Sequence, residues 1–278
     1  MTKREYATPF SILHAASLLS HRQRISKFSL AIEKSVRQED YVIDIGTGSG
    51  ILAILAAKRG ATVTAIDINE ESLRYAEKAS KMNGVEDRIK FIHSHFLDYK
   101  NDQRADIVIC EMLSSVMLIE QQIPAASYAV RHLLKPSGKI IPEEVRVFFV
   151  PVQGETLWNR FVIEGLEFPR VPQTTDKSQC RDLADPIETA HFDLTVPNND
   201  AKVDRTLSFK VVEDGIIHGL VGMFESRLCE GITLQMEDGW RDLFIPFTEP
   251  LSVKEGETIR VRVSYSPGEF DSLEIEVK

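Results

Sequence analysis

The stretch "VIDIGTGSGIL", Val42 to Leu52, decides the fold. Apolar and β-branched residues run up to Gly46, glycine recurs at Gly48 and Gly50, and an apolar segment opens at Ile51. This is a strand turning tightly into a helix, with glycine where the backbone needs positive φ or a ligand must approach without a Cβ in the way. The spacing is G-x-G-x-G, one residue shorter than the dinucleotide fingerprint, and no Lys follows in the P-loop manner. Asp44, two residues before the first glycine, suits a ligand carrying an ammonium group better than a pyrophosphate. The next strand, "TVTAID" at 62–67, ends on Asp67, 21 residues past Gly46. A carboxylate there can accept hydrogen bonds from both ribose hydroxyls of a nucleoside.

Around this motif the chain alternates strand and helix. The helix "EESLRYAEKASKMNG" follows Asp67, strands "IKFIHSHF" and "ADIVIC" come next, and a helix is expected from about 114 to 135, interrupted at Pro124. Such alternation predicts a parallel sheet covered by helices on both faces. Residues 10–38 are helical in pattern and precede it. Beyond about Ile141 the pattern changes to short alternating runs such as "EEVRVFFVPV", "TLSFKVV" and "ETIRVRVSYS", which read as an antiparallel β-sandwich or barrel. The predicted fold class is therefore α/β + β, divided into residues 1–141 and 142–278. A less regular excursion at about 155–188 holds Pro169, Pro172 and Pro186.

Composition narrows the function. A net charge of −9, with no basic stripe, disfavours nucleic acid. The longest apolar run, "ILAILAA", is too short to cross a membrane, and "MTKREYATPF" has no secretory apolar core. Three well-separated cysteines, Cys110, Cys180 and Cys229, point to a reducing compartment, and a cytoplasmic location is expected. His93 and His95 alternate on one strand without a thiol or carboxylate partner at ligand spacing, so no metal is expected; His218 reads as structural.

The chemistry is carried by "EMLSSVMLIE". Glu111 leaves the carboxyl end of a predicted strand, where open α/β sheets gather ligands, and Glu120 follows nine positions later across an apolar segment. Singly, either would serve as a helix cap or surface acid. Together they repel unless a cation lies between them, and a guanidinium is planar, permanently charged and able to give paired N–H bonds. Two acids would draw its positive charge toward the nitrogens they bind, leaving lone-pair density on the third.

The glycine turn with Asp44 and Asp67 resembles class I S-adenosylmethionine (SAM)-dependent methyltransferases, an NAD dehydrogenase being the second reading of that motif alone. With "CEMLSSVMLIE", "LLKPSGKIIPEEV", "IHGLVGMFE" and "LSVKEGETI" in family order, nearly the whole chain resembles the protein arginine N-methyltransferases. The resemblance implies a Rossmann-like SAM-binding domain with N-terminal helices, an antiparallel β-barrel, and a dimerisation arm at about 155–188. It implies that Gly46, Gly48 and Gly50 pass the methionine part of SAM, that Asp44 lies near its amino group, and that Arg24 meets its carboxylate. Asp67 would hold the ribose, and Phe96 and Leu97 would contact adenine. Glu111 and Glu120 would clamp the acceptor guanidinium, with Trp240 in the acceptor wall.

Three departures stand out. The aromatic signature of the family's first helix is missing, with only Tyr6 and Phe10 nearby. The Thr-His-Trp loop of the family appears as Asp238-Gly239-Trp240, and the helical acid three positions before the Arg is His21. An exchange of sides would leave a His21–Asp238 contact in place of the family's pair; independent loss of both is the plainer alternative. The expected activity is methyl transfer to an arginine guanidino nitrogen in a protein or peptide, by a homodimer. The alternatives are a small guanidino or natural-product acceptor, or a SAM-binding scaffold without catalysis.

Overall fold

The structure is a computed structural model describing residues 11–101, 103–198 and 201–278. Tyr6 and Phe10 lie outside the described residues.

Five parallel strands form the first sheet: β1 (Tyr41–Ile45), β2 (Thr62–Asp67), β3 (Ile89–His93), β4 (Ala105–Cys110) and β5 (Leu134–Ile141). Their spatial order is β3-β2-β1-β4-β5. The chain therefore runs outward from β1 in one direction, then crosses to its other side at β4. The crevice at the carboxyl ends of β1 and β4 is the switch point at which open α/β sheets bind ligands. Register sets the key residues there: Ile45 pairs with both Ile66 and Cys110, so the glycine turn, Asp67 and Glu111 leave the sheet along one edge. Central strands buried on both faces explain the unbroken apolar runs.

Helices α1 (Ile12–Ser17) and α2 (Arg22–Ser35) precede the sheet, broken at His21 rather than continuous over 10–38. Helices α3 (Ile51–Lys58) and α4 (Glu70–Met82) follow β1 and β2. The α4 start is built by Asn69, whose side chain accepts from the Glu71 and Ser72 amides, with two acids in the first turn. Gly50 has φ +77°, and a Cβ there would lie 2.7 Å from the Ala76 Cβ. The last glycine of the turn thus serves the close approach of α3 and α4.

The expected helix over 114–135 does not form as one element. Residues Ser115–Met117 make a single 3₁₀ turn, and α5 (Gln122–Tyr128) begins later, with Pro124 in its first turn, where proline is tolerated. Val116 and Met117 take positive φ (51° and 58°), which no helix accepts. Strand β3 ends at His93, so Phe96 and Leu97 lie in the following turn and not on the strand.

The second half opens with β6 (Glu144–Gln153), a short helix α6 (Glu155–Asn159), and a hairpin of β7 (Val162–Ile163) and β8 (Leu166–Glu167). Strands β9 (Gln173–Thr175), β10 (Arg181–Asp182), β11 (Ile187–Asp193), β12 (Val203–Lys210), β13 (Gly215–Cys229) and β14 (Ile232–Leu234) come next. The series ends with β15 (Asp242–Val253), β16 (Thr258–Tyr265) and β17 (Glu274–Val277). They form a curled seven-stranded antiparallel sheet centred on β6, β13 and β15, and a three-stranded sheet β12-β16-β17. The two are joined by an isolated bridge, Ala184 to Val211, so the barrel is an open half-barrel. One contiguous apolar core runs from α2 through the parallel sheet into the half-barrel.

Candidate active site

The segment between the two glutamates is apolar because it is wedged between the two sheets. The Tyr265 hydroxyl donates to the Val116 carbonyl at 2.8 Å, Gly268 N–H to Met117 O at 2.9 Å, and Ser115 Oγ to Arg241 O at 2.6 Å. Val116, Met117 and Leu118 are fully buried. Two side chains fold the segment back on itself. Ser114 Oγ accepts from the Ile119 and Glu120 amides (3.2 and 3.1 Å), and Gln122 Oε1 accepts from Met112 N–H at 2.7 Å. Residues beside Glu111 and beside Glu120 are thereby tied together, and both carboxylates face one cavity.

That cavity has a volume of about 580 Å³, inside the range of roughly 300–1,000 Å³ usual for small-molecule sites. Its wall takes Gly46, Gly48, Asp67 and Phe96 from the α/β half, His21 and Arg24 from the N-terminal helices, and Trp240 from the half-barrel. Asp44, Gly50, Leu97 and Asp238 are not on the wall. Asp44 is buried behind the turn and accepts from Thr47 Oγ1 at 2.6 Å; Thr47 is the residue that faces the cavity. Asp67 accepts from Gly48 N–H and Asn69 N–H, both at 2.8 Å, so it fixes the glycine turn as well as presenting a carboxylate.

The expected His21–Asp238 contact is not formed. Asp238 accepts from Lys27 Nζ at 2.6 Å and from Gln235 N–H at 2.8 Å. His21 Nδ1 is buried without a hydrogen-bond partner among the described residues, and a Cβ on Gly239 would lie 2.6 Å from it. The imidazole thus fills space that a side chain at 239 would need, while Lys27, two turns along α2, takes the acid. Arg24 lies on the cavity wall, where its Nη2 donates to Glu111 Oε2 and its guanidinium carbon lies 4.8 Å from the Trp240 ring centroid. Trp240 is held by Nε1–H donation to Leu113 O at 2.9 Å and by an edge contact with Phe224.

His14, which also lines the cavity, and Thr47, Ser114, Gln122 and Lys27 are not marked out by the sequence. The Ser114 and Gln122 roles depend on the loop's fold, and only the apolar character of the segment hinted at its burial.

Burial disturbs the acids. It lifts Glu120 to about 7 against the opposing charge of Arg24, and lifts Asp44 to about 7, helped by nearby Asp67 and resisted by the Thr47 hydrogen bond. A carboxyl with a raised folded-state pKa binds its proton more tightly folded than unfolded, so stability falls as pH rises from about 4 to 7. For Asp44 the penalty above pH 7 is on the order of 4 kcal/mol. Asp44→Asn is therefore expected to raise the melting temperature of the ligand-free protein by several degrees at pH 8, by less than half as much at pH 5, and by nothing below about pH 4. Thermal melts at pH 8 and pH 5 check it; equal shifts at both would mean Asp44 does not titrate there.

A family model for ribosomal protein L11 methyltransferase (PrmA) matches residues 27–142. An arginine N(omega)-methyltransferase of Streptomyces achromogenes subsp. streptozoticus is 26% identical over 276 residues, covering 90% of this chain and 75% of that protein. Over most of its length the chain is similar to proteins named arginine N-methyltransferases. An uncharacterized protein of Methanocaldococcus jannaschii is 39% identical over 127 residues, 45% of this chain, and the match spans only 49% of that relative's length. Among solved structures, a Trypanosoma brucei PRMT1 enzyme–prozyme heterotetramer with AdoHcy superposes with a TM-score of 0.78 at 21% identity, covering 94% of this chain and 91% of that one. At that identity the likeness speaks for the fold, an α/β sheet joined to a curled antiparallel half-barrel. No helix among the described residues is long and apolar enough to cross a membrane, and no group of three metal-ligating side chains among them is placed to hold an ion.

Proposed function

We propose that the protein methylates a guanidino nitrogen of arginine, with SAM as donor and an arginine side chain of a protein or peptide as acceptor. The observation that carries this is the pair Glu111 and Glu120, folded onto one cavity wall beside Trp240 and next to a glycine turn anchored by Asp67. The cavity residues fit the donor chemically: Thr47 backed by Asp44 suits an ammonium, Asp67 a ribose, and the buried Phe96 ring an adenine face. When bound, SAM supplies an electrophilic methyl on sulfonium.

The chain's own residues do the rest. Glu111 and Glu120 accept N–H bonds from the guanidinium and localise its charge, so the nitrogen facing away from them keeps more lone-pair density. Trp240, rigidly held, gives the flat cation a ring face. Methylation leaves the guanidinium with one proton too many, and Glu120, lifted to about 7 by burial, can accept it from the nitrogen it is bonded to. We assign donor binding to residues 1–141 and much of the acceptor wall to 142–278.

A second cavity adjoins Trp240 on the half-barrel side, where the acids Asp176, Glu225, Glu237 and Asp242 outnumber the cations Lys177 and Arg241. It favours a cationic peptide over a compact acceptor. The name of the Streptomyces relative keeps free arginine as the second reading. The exposed Ile163, Leu166 and Phe168 of the β7–β8 hairpin form an apolar arm suited to a second copy of the chain. Turnover of SAM to S-adenosylhomocysteine with an acetylated, amidated arginine peptide and with free arginine tests the proposal, with solution mass measured alongside. Faster turnover of the peptide supports the main reading, faster turnover of arginine the second, and none with any guanidino acceptor overturns both.

A further inference from the structure

Arg24 stands where an acceptor would. Its guanidinium donates to Glu111, lies over the face of Trp240, and feels the charge of Glu120. Both partners of the ion pair are nearly out of water, with side chains 9% and 11% exposed. A flat cation held by a carboxylate on one side and an indole face on the other is the arrangement argued above for the substrate. A second guanidinium cannot share it: the carboxylate oxygen and the ring face are taken, and two like charges would meet in a poorly solvated space.

We propose that Arg24 is an internal guanidinium ligand of the acceptor clamp, which admits acceptor arginine only once Arg24 has turned to the carboxylate of a bound cofactor. The inference rests on the clamp reading of Glu111 and Glu120.

Its logic is an exchange of partners. A buried ion pair resists losing one member, because the other is left charged and unsolvated. Arg24 therefore stays on Glu111 until another anion is offered, and Glu111 then needs another cation, which is the acceptor. The donor and acceptor halves of the cavity become coupled through one side chain. The swing asks little of the backbone: Arg24 is in the first turn of α2, just after the break at His21, and that helix start has no side-chain cap. Rotation about the long side chain moves the guanidinium between wells without displacing the helix.

The test is direct binding, with no turnover. An acetylated, amidated Gly-Arg-Gly peptide, which carries no carboxylate of its own, is titrated into the wild type and Arg24→Met, each with and without S-adenosylhomocysteine. The wild type is expected to bind peptide at least about tenfold more tightly with the nucleoside present, a coupling of ordinary size, and reciprocity requires the peptide to tighten nucleoside binding by the same factor. Arg24→Met is expected to bind peptide without the nucleoside about as well as the wild type does with it. Should Arg24→Met fail to fold, Arg24→Lys keeps the charge but not the planar fork, and is expected to show the same loss of coupling in part. Equal peptide affinity in the wild type with and without nucleoside would overturn the proposal while leaving the clamp intact. So would a folded variant with undiminished coupling. No peptide binding by any form, even with nucleoside bound, would remove the clamp reading itself.

Discussion

Glu111→Gln is expected to lower kcat/KM for methyl transfer by at least ~10²–10³-fold, the usual cost of removing one preorganised electrostatic contact to a transition state. The substitution keeps size and leaves one carbonyl oxygen to accept an N–H bond, so the acceptor still fits. What is lost is the charge that holds the guanidinium's positive charge away from the attacking nitrogen. In the ligand-free protein, Arg24 loses its charged partner in a nearly dry site. Glu120→Gln makes an informative comparison. Burial lifts Glu120 to about 7, so below that pH the wild type already carries a neutral group there, and the two enzymes converge. Above pH 7 they separate, because only the wild type gains the charge. Steady-state rates from pH 6 to 9 check both points. A Glu111→Gln enzyme within about threefold of the wild type would mean that the clamp does not act by charge.

What the sequence revealed was the part written in local chemistry. Glycines at 46, 48 and 50, strand alternation and strand-end acids are demands of a turn, a pleat and a sheet edge, each visible within a few residues. What it hid was the part set by distant partners. The apolar run from Met112 to Ile119 looks helical because burial between two sheets selects the same residues as a helix core. It is a folded-back loop, closed by Ser114 and Gln122 and held between the sheets by bonds to Arg241, Tyr265 and Gly268. The His21–Asp238 pairing failed similarly. His21, Arg24 and Lys27 recur at three-residue intervals along the start of α2, and the sequence does not say which of them reaches the loop before Trp240. Lys27 does, freeing the imidazole to pack on Gly239. The Arg24–Glu111 pair was hidden because an ion pair 87 residues apart in sequence leaves no local trace.

Asp67→Ala is expected to weaken S-adenosylhomocysteine binding by ~100-fold or more. Two charge-assisted hydrogen bonds to ribose hydroxyls are each worth about 1.5–3 kcal/mol, and the lower end of their sum is already about two powers of ten. A second cost arises within the chain. Asp67 also accepts the Gly48 and Asn69 amides, so alanine leaves a donor in the glycine turn without its acceptor and loosens the start of α4. The two causes are separable. Asp67→Asn keeps an oxygen for one of those amides and can still bond a ribose hydroxyl, while losing the charge. If the ribose contact dominates, the Asn variant melts near the wild type yet binds the nucleoside at least tenfold more weakly, whereas adenine alone binds all three proteins alike. If the backbone role dominates, melting temperature and affinity fall together, and adenine binding falls with them. Calorimetric titration of S-adenosylhomocysteine and of adenine into the three proteins, with melts alongside, decides between them. Nucleoside affinity unchanged in Asp67→Ala would place the ribose elsewhere in the cavity and return Asp67 to being the anchor of its turn.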